Sequence, residues 1–277
     1  NKKVKLIPYD VQNNNRLIVL IKFIFFLKKK LNKNSIIIVS DPLLSILLFF
    51  FKNKKIIRNV ASDDYNLYNS SKYKYLGLIP LYKFLIYLSF FYRNVIYVFN
   101  SQYTYSRIYK NSKIPFKFND IQNKIIYPMI DNSYLENQNH NLFLKDKERS
   151  IVIFPRKHNN KGFDLFHSIK NKKIFKHLRI EKIYLVFNKM EDFKYYNDKD
   201  YTIIHPKSDE DIIKVLDKSM CFVSTSSSEG FGLPPLEAMA RGCVPVLIDA
   251  GGTSSYCFHG YNSLVCPKNN IFRIKRK

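Results

Sequence analysis

Short apolar runs separated by polar or proline- and glycine-marked breaks set the rhythm of this chain. Leu17 to Leu31 reads as a helix, and Ile36 to Val39 as a strand that ends at Ser40-Asp41-Pro42. Leu43 to Phe51 reads as a second helix and Lys55 to Ala61 as a strand. Val95 to Phe99 reads as another strand, opening onto Asn100 and Ser101, and Lys5 to Pro8 has the pattern of one more. The second half keeps the alternation. Ile151 to Phe154, Lys182 to Phe187, Tyr201 to His205, Cys221 to Val223 and Val244 to Ile248 read as strands, and Asp209 to Lys218 as a helix carrying Ile212, Ile213 and Leu216. Unbroken apolar strands alternating with helices predict parallel sheets covered on both faces.

The length, 277 residues, suits two domains better than one, and 46% hydrophobic residues is enough for two cores. The join falls near Lys124 to Asp131 (KIIYPMID), after which Asn132 to Ser150 is polar and loop-like. The expected division is residues 1–131 and 132–277. No internal repeat shorter than a domain and no low-complexity linker is visible.

The densest chemistry lies between Cys221 and Ile248, which reads as strand, polar loop, helix, strand. Ser224 to Ser228 are small and polar, and Gly230 and Gly232 let backbone N–H groups approach a ligand closely. Pro234 and Pro235 suit the first turn of a helix, Leu236, Met239 and Ala240 its apolar stripe, and Gly242 its stop. A glycine-rich loop entering a helix is an anion site, because free N–H groups and the helix dipole both point outward. Glu229 and Glu237 bracket it, eight residues apart, one in the loop and the other in the helix, so they do not share a helical face. Carboxylates accept from hydroxyls, and phosphate takes N–H donors. A molecule with sugar hydroxyls at both ends and a diphosphate between them, a nucleotide sugar, fits that arrangement. A capping glutamate beside a surface acid is the plain alternative.

The run Glu229-Gly-Phe-Gly-Leu-Pro-Pro-Leu-Glu237 followed by Ala-Met-Ala-Arg-Gly-Cys-Val-Pro resembles the E-x7-E signature of the group 1 family of retaining glycosyltransferases. Gly251 to Pro267 (GGTSSYCFHGYNSLVCP) resembles that family's Gly-Gly turn and the segment after it, and Ile151 to Lys170 its first strand and G-R-x-x-x-x-K-G turn. The three matches occur in the family's order. The resemblance implies an α/β protein of two Rossmann-like domains facing each other across a cleft, the GT-B fold. It implies that Glu237 binds the donor ribose and that the Gly230-Phe231-Gly232-Leu233 loop holds the donor. Within that loop, Gly232 and Leu233 would offer N–H groups to the distal phosphate. Glu229 would touch the transferred sugar, while Arg156 and Lys161 neutralise the leaving diphosphate. Without the resemblance, Arg156 and Lys161 are two cations at the end of a strand, where solvated turn residues are common. The implied donor is a nucleotide-diphosphate sugar, with no separate cofactor and no metal, and the implied acceptor is a glycan or a lipid-linked glycan. Polysaccharide or cell-envelope assembly follows by analogy only.

The chain departs from the family pattern in three places. All six histidines (His140, His158, His167, His177, His205, His259) lie beyond residue 139, so the first domain lacks an acceptor-side histidine. Asp63 or Asp64 would have to stand there. No N-terminal glycine-rich turn is visible. The basic stretch Asn269 to Lys277 is unlike the family's final helices, so the resemblance implies a chain truncated at both ends, its activity open.

Charge and cysteines narrow the setting. With 46 basic and 22 acidic residues the formal charge is +24, which points to nucleic acid, an anionic membrane face or acidic substrates. No basic run interleaved with aromatics stands out, and nucleic acid is not expected. The four cysteines show no C-x-x-C pair and no metal spacing, which fits a reducing cytoplasm. The apolar stretches 17–27 and 43–51 fall short of the ~20 residues that a membrane span needs. The span from Leu81 to Phe99 is interrupted by Lys83 and Arg93. Peripheral contact with anionic lipid, through helices flanked by Lys28 to Lys30 and Lys52 to Lys55, stands beside ordinary core helices as a reading. Two other functions stay open at this point. A sugar-nucleotide 2-epimerase of the same architecture would want histidines in the first domain. A non-catalytic basic binding protein would leave Glu229, Glu237, Arg156 and Lys161 without a role.

Overall fold

The computed structural model describes residues 16–31, 35–40, 55–61, 84, 90, 95–112, 123–136, 147–155, 162, 165–166, 172–187 and 201–268. The expected strand Lys5 to Pro8, the helix Leu43 to Phe51, and Asp63 and Asp64 lie outside them. The chain forms two compact units. One comprises residues 1–60, 64–99 and 108–124, the other residues 61–63, 100–107 and 125–277.

The first unit carries helix α1 (Arg16–Lys30) and a four-stranded sheet of β1 (Ile36–Val39), β2 (Lys55–Val60), β3 (Val95–Phe99) and β4 (Asn123–Ile125), hydrogen-bonded in that order. β1, β2 and β3 pair in parallel. β2 and β3 bury alternate residues, so Ile56, Val60, Val95, Tyr97 and Phe99 face inward. Arg58 shares that inward face and is only 1% exposed. Its guanidinium lies 4.1 Å from the centroid of the Phe90 ring, which in turn stacks on Tyr97 at 5.3 Å. A desolvated guanidinium over an aromatic face is a cation–π contact, and it offsets part of the cost of burying this charge. Helix α2 (Gln102–Ser112) follows β3.

The second unit is built on a six-stranded parallel sheet. Its strands are β5 (Glu148–Ile153), β6 (Lys182–Val186), β7 (Thr202–Ile204), β8 (Ser219–Ser224), β9 (Val244–Ile248) and β10 (Leu264–Cys266), in the order β10-β9-β8-β5-β6-β7. Helices α3 (Lys172–His177), α4 (Asp209–Lys218) and α5 (Leu233–Ala240) supply crossovers. One core cluster includes Val152, Val186, Leu216, Phe222, Ala238 and Leu247, and a second includes Ile151, Ile153, Phe166 and Leu185. The chain moves outward from β5 through β6 to β7, then returns to β5's other side as β8. That reversal leaves a crevice beyond the carboxyl ends of β5 and β8, the place where open α/β sheets bind ligands.

Two expectations need correction. Residues 132–150 are not all loop. Asn132–Tyr134 form a 3-10 turn capped by Asp131, whose carboxylate accepts from the Ser133 N–H at 2.9 Å, and β5 begins at Glu148 rather than Ile151. The polar start of β5 is affordable because Glu148 accepts from the Tyr184 hydroxyl (2.5 Å) and Lys182 (3.2 Å) on the neighbouring strand. In α5 the buried positions are Pro235 and Ala238, while Leu236, Met239 and Ala240 are half-buried. Met239 and Ala240 of the expected stripe still pack against the core cluster, and Ala238 lies within it.

The C-terminal ends of α4 and α5 are bound together by two buried cations. The Lys147 ammonium donates to the carbonyls of Leu216 (2.9 Å), Asp217 (3.0 Å) and Arg241 (2.8 Å). Arg241 grips the Asp217 carboxylate with two bonds (2.7 and 2.8 Å) and donates to the Glu136 carbonyl at 3.0 Å. Cations there satisfy carbonyls that a helix leaves without partners and complement its dipole. Gly242, at φ 72°, closes α5. Its N–H reaches the Met239 carbonyl and that of Cys243 the Ala238 carbonyl, the paired bonds of a Schellman stop.

Candidate functional site

The loop after β8 and the turn after β9 form one backbone platform. Past the end of the β8–β9 pairing the chains meet again at Glu229 and Gly251. The Glu229 N–H donates to the Ala250 carbonyl and the Gly252 N–H to the Glu229 carbonyl, each at 3.0 Å. A side chain at Gly252 would place its Cβ 2.3 Å from the Gly230 carbonyl oxygen, so the Gly-Gly turn is required by backbone lying flat on backbone. The Gly230 carbonyl also accepts from the hydroxyls of Ser101 (2.5 Å) and Thr104 (3.2 Å), residues that belong to this second unit. A Cβ at Gly230 would lie 2.1 Å from the Ala61 carbonyl oxygen. Asn100 donates to that same carbonyl at 2.7 Å, which leaves its own buried Oδ1 without a partner among the described residues.

Gly232 is the N-cap of α5 and adopts a left-handed conformation, φ 87° and ψ 73°, that disfavours a side chain. Its carbonyl accepts from the Tyr256 hydroxyl. Phe231 is buried, with its ring 5.2 Å from that of Tyr256 and 5.8 Å from that of Tyr127. Prolines at 234 and 235 have no N–H to give, so donor capacity at this helix end falls on Gly232 and Leu233. Among the described residues, no protein acceptor claims either of those N–H groups.

Both glutamates lie within electrostatic reach of one hydroxyl. Burial, first, and then the charges of Cys257, Glu229 and Glu237 push the Tyr256 phenol well above its ordinary range, so it stays a donor. Burial likewise raises Tyr134, and the largest charge contribution there comes from Glu237. Glu229 and Glu237 are themselves half-buried. The third flank of the crevice is the turn after β5. Gly162, at φ 64°, accepts through its carbonyl from the Thr225 hydroxyl at 2.7 Å, and a Cβ there would meet the Thr225 carbonyl at 2.1 Å. Arg156 and Lys161 lie outside the described residues. Among the described residues no group of three His, Cys, Asp or Glu side chains is placed to hold a metal.

Tyr256, Thr253 and the Ser101–Thr104 pair were not evident in the sequence. Tyr256 lies four residues beyond the Gly-Gly turn, and only the fold brings its hydroxyl to a carbonyl 24 positions earlier.

Residues 136–277, just over half of the chain, match the model of the glycosyl transferases group 1 family. The chain belongs to that family. Its matched stretch contains the whole platform and both glutamates. A relative from Methanocaldococcus jannaschii, described as the uncharacterized glycosyltransferase MJ1178, is 32% identical over 93 residues, 33% of this chain and 26% of that protein. Two solved structures share the fold at low identity. Sucrose-phosphate synthase from Thermosynechococcus elongatus superposes with a TM-score of 0.71 at 13% identity, over 96% of this chain and 69% of that one. TarM from S. aureus, solved with UDP and alpha-GlcNAc-glycerol among its ligands, gives 0.68 at 18%, over 94% and 51%. The match spans about a quarter of the archaeal relative, and the chain spans about half of TarM. The two parallel sheets and these likenesses show the α/β fold of the GT-B class expected from the sequence.

Proposed function

We propose that this group 1 glycosyltransferase moves a sugar from a nucleotide-diphosphate donor to a glycan or lipid-linked acceptor with retention of configuration. The observation that carries the reading is the end of α5, where two unclaimed N–H groups open at a helix N-terminus between Glu229 and Glu237. The helix dipole and the N–H groups of Gly232 and Leu233 receive the distal phosphate. Glu237 takes the ribose hydroxyls, Glu229 those of the transferred sugar, and Phe231 holds the loop between them. Arg156 and Lys161 neutralise the charge that builds on the departing diphosphate, a part that cations fill wherever phosphate is expelled. The acceptor hydroxyl gives its proton to the phosphate oxygen that leaves. A bond to the anomeric carbon forms on the face from which the old one breaks, without a dedicated base. UDP is among the ligands of the TarM structure, and that supports a nucleotide donor for this chain by likeness of fold.

The test is a thermal-shift screen of the purified chain against the UDP, GDP, dTDP and ADP forms of common sugars. One nucleotide class should raise the midpoint by several degrees, and at 100 times Kd the expected stabilisation is about 2.7 kcal/mol. No shift with any of them would end this reading.

A cytoplasmic protein working at an anionic membrane face is the setting we favour. Helix α1 exposes Lys22, Lys28, Lys29 and Lys30, and its Phe25 is 68% exposed, an aromatic and cationic combination that suits a lipid headgroup layer. Among the described residues no helix is long and apolar enough to cross a membrane. The chain should float with phosphatidylserine vesicles in low salt and not with phosphatidylcholine vesicles. Equal behaviour with both would remove the lipid contact.

A further inference from the structure

We infer that Tyr256 is a positioning residue for the distal phosphate, acting through the peptide unit that joins Gly232 to Leu233. The inference rests on the donor reading above and adds to it a residue that never touches the donor. A trans peptide holds its C=O and N–H antiparallel and in one plane. Whatever fixes the Gly232 carbonyl therefore fixes the direction of the Leu233 N–H. That carbonyl accepts from the Tyr256 hydroxyl, so the Leu233 N–H points away from Tyr256, out of the end of α5.

The fixing matters because of the residue it acts on. Gly232, at φ 87°, has no side chain to restrict it, and its carbonyl, which as N-cap takes the first bond of the helix, gains a second hold from the Tyr256 hydroxyl. The prolines at 234 and 235 give no N–H, so only that of Gly232 would remain if the Leu233 N–H turned away. Tyr256 is itself held from two sides. The Phe231 ring lies 5.2 Å from its ring, and its own N–H donates to the Thr253 carbonyl at 3.1 Å. A Cβ on Gly232 would meet Thr253 Cγ2 at 2.9 Å and the Tyr256 hydroxyl at 3.2 Å, so both side chains lie directly against this peptide. The hydroxyl remains a donor in the field of the two carboxylates, and its proton has the carbonyl as its acceptor.

The test is Tyr256→Phe, which removes one oxygen and keeps the ring. Binding of UDP, GDP, dTDP and ADP, and of the four matching monophosphates, would be measured by calorimetry for wild type and variant. For the base that binds, the diphosphate should weaken about threefold to tenfold, the range for one neutral hydrogen bond. The monophosphate should hold its affinity, and the melting midpoint should stay within a few degrees. Equal loss for diphosphate and monophosphate would reduce Tyr256 to a structural residue, and no loss for either would remove it from the site. If the wild-type chain binds none of the eight, the donor reading itself fails. A second readout needs no variant. In wild-type chain labelled with 15N-leucine, the Leu233 amide should move downfield with the diphosphate and not with the monophosphate. An unmoved Leu233 amide would overturn the inference.

Discussion

The two ends of α5 are built to opposite specifications. At its C-terminal end nearly every polar group is claimed. Gly242 and Cys243 complete the Schellman stop, Lys147 takes the Arg241 carbonyl, and Arg241 spans from Asp217 to Glu136. At its N-terminal end a left-handed glycine, two prolines and two unclaimed N–H groups leave the helix open. Among the described residues the Tyr256 hydroxyl, the Gly-Gly turn and the Ser101 and Thr104 hydroxyls steady that end, and all act on backbone carbonyls or backbone packing. A single eight-residue helix thus keeps its anchoring and its candidate chemistry at opposite ends. Stability can be lost at one end without altering the chemistry at the other, and the converse should hold as well.

The largest break in that contrast is Arg241→Ala. It removes a two-bond pair with Asp217 and leaves that carboxylate beside Lys147 alone, which should cost about 3 kcal/mol. The urea midpoint reports the loss, while the fraction still folded should bind the nucleotide as tightly as wild type. A large fall in affinity per folded molecule would show that the two ends are coupled. Next comes Glu237→Ala, where the expectation reverses. Nucleotide affinity should fall by about tenfold or more, as for a hydrogen bond to a charged group, with the urea midpoint little changed. Unchanged affinity in calorimetry would contradict the ribose role.

The smallest effect sharpens the contrast through pH. Burial raises the Cys243 thiol to about 12 and the Cys257 thiol to about 11, each from an ordinary value near 9. Above pH 9 the unfolded chain has lost these protons and the folded chain keeps them. The folded state then binds more protons, and stability falls as pH rises. Lys147 works against this. Burial holds its ammonium below the usual lysine range, so stability gains as pH rises through its folded value. Burial raises the Cys221 thiol as well, so three thiols outnumber the one amine, and the net decline between pH 8.5 and 9.5 should be about 1 to 2 kcal/mol. Cys243→Ala should flatten that decline at the anchored end and leave nucleotide affinity alone. A slope unaffected by Cys243→Ala would place the alkaline loss elsewhere.

Local pattern was a good guide wherever one stretch decides its own fate. Ile36–Val39, Val95–Phe99, Asp209–Lys218 and Val244–Ile248 have the bounds that their apolar runs predict. The strand, glycine loop and proline-led helix around Glu229 and Glu237 could be read for a related reason. Gly232 and Gly242 stand where the backbone takes positive φ, and Pro234 stands where an N–H is dispensable. The start of β5 could not be read, because Glu148 is acceptable in a strand only with Tyr184 beside it, 36 residues later. The buried face of α5 was read in part: Met239 and Ala240 of the expected stripe pack against the core, while Ala238, a weak hydrophobic signal, is fully buried.

What the sequence determined by itself was the alternation of strand and helix, the family, and the identity of the two candidate carboxylates. All three depend on residues within a few positions of one another, where backbone preference and spacing act directly. The tertiary structure decided which side chains hold the backbone around them: Tyr256 on the Gly232 carbonyl, Ser101 and Thr104 on the Gly230 carbonyl, and Lys147 across two helix ends. A hydrogen bond reaches about 3 Å in space but has no fixed reach along a chain, so these partners, 24 to 129 residues apart, left no local pattern.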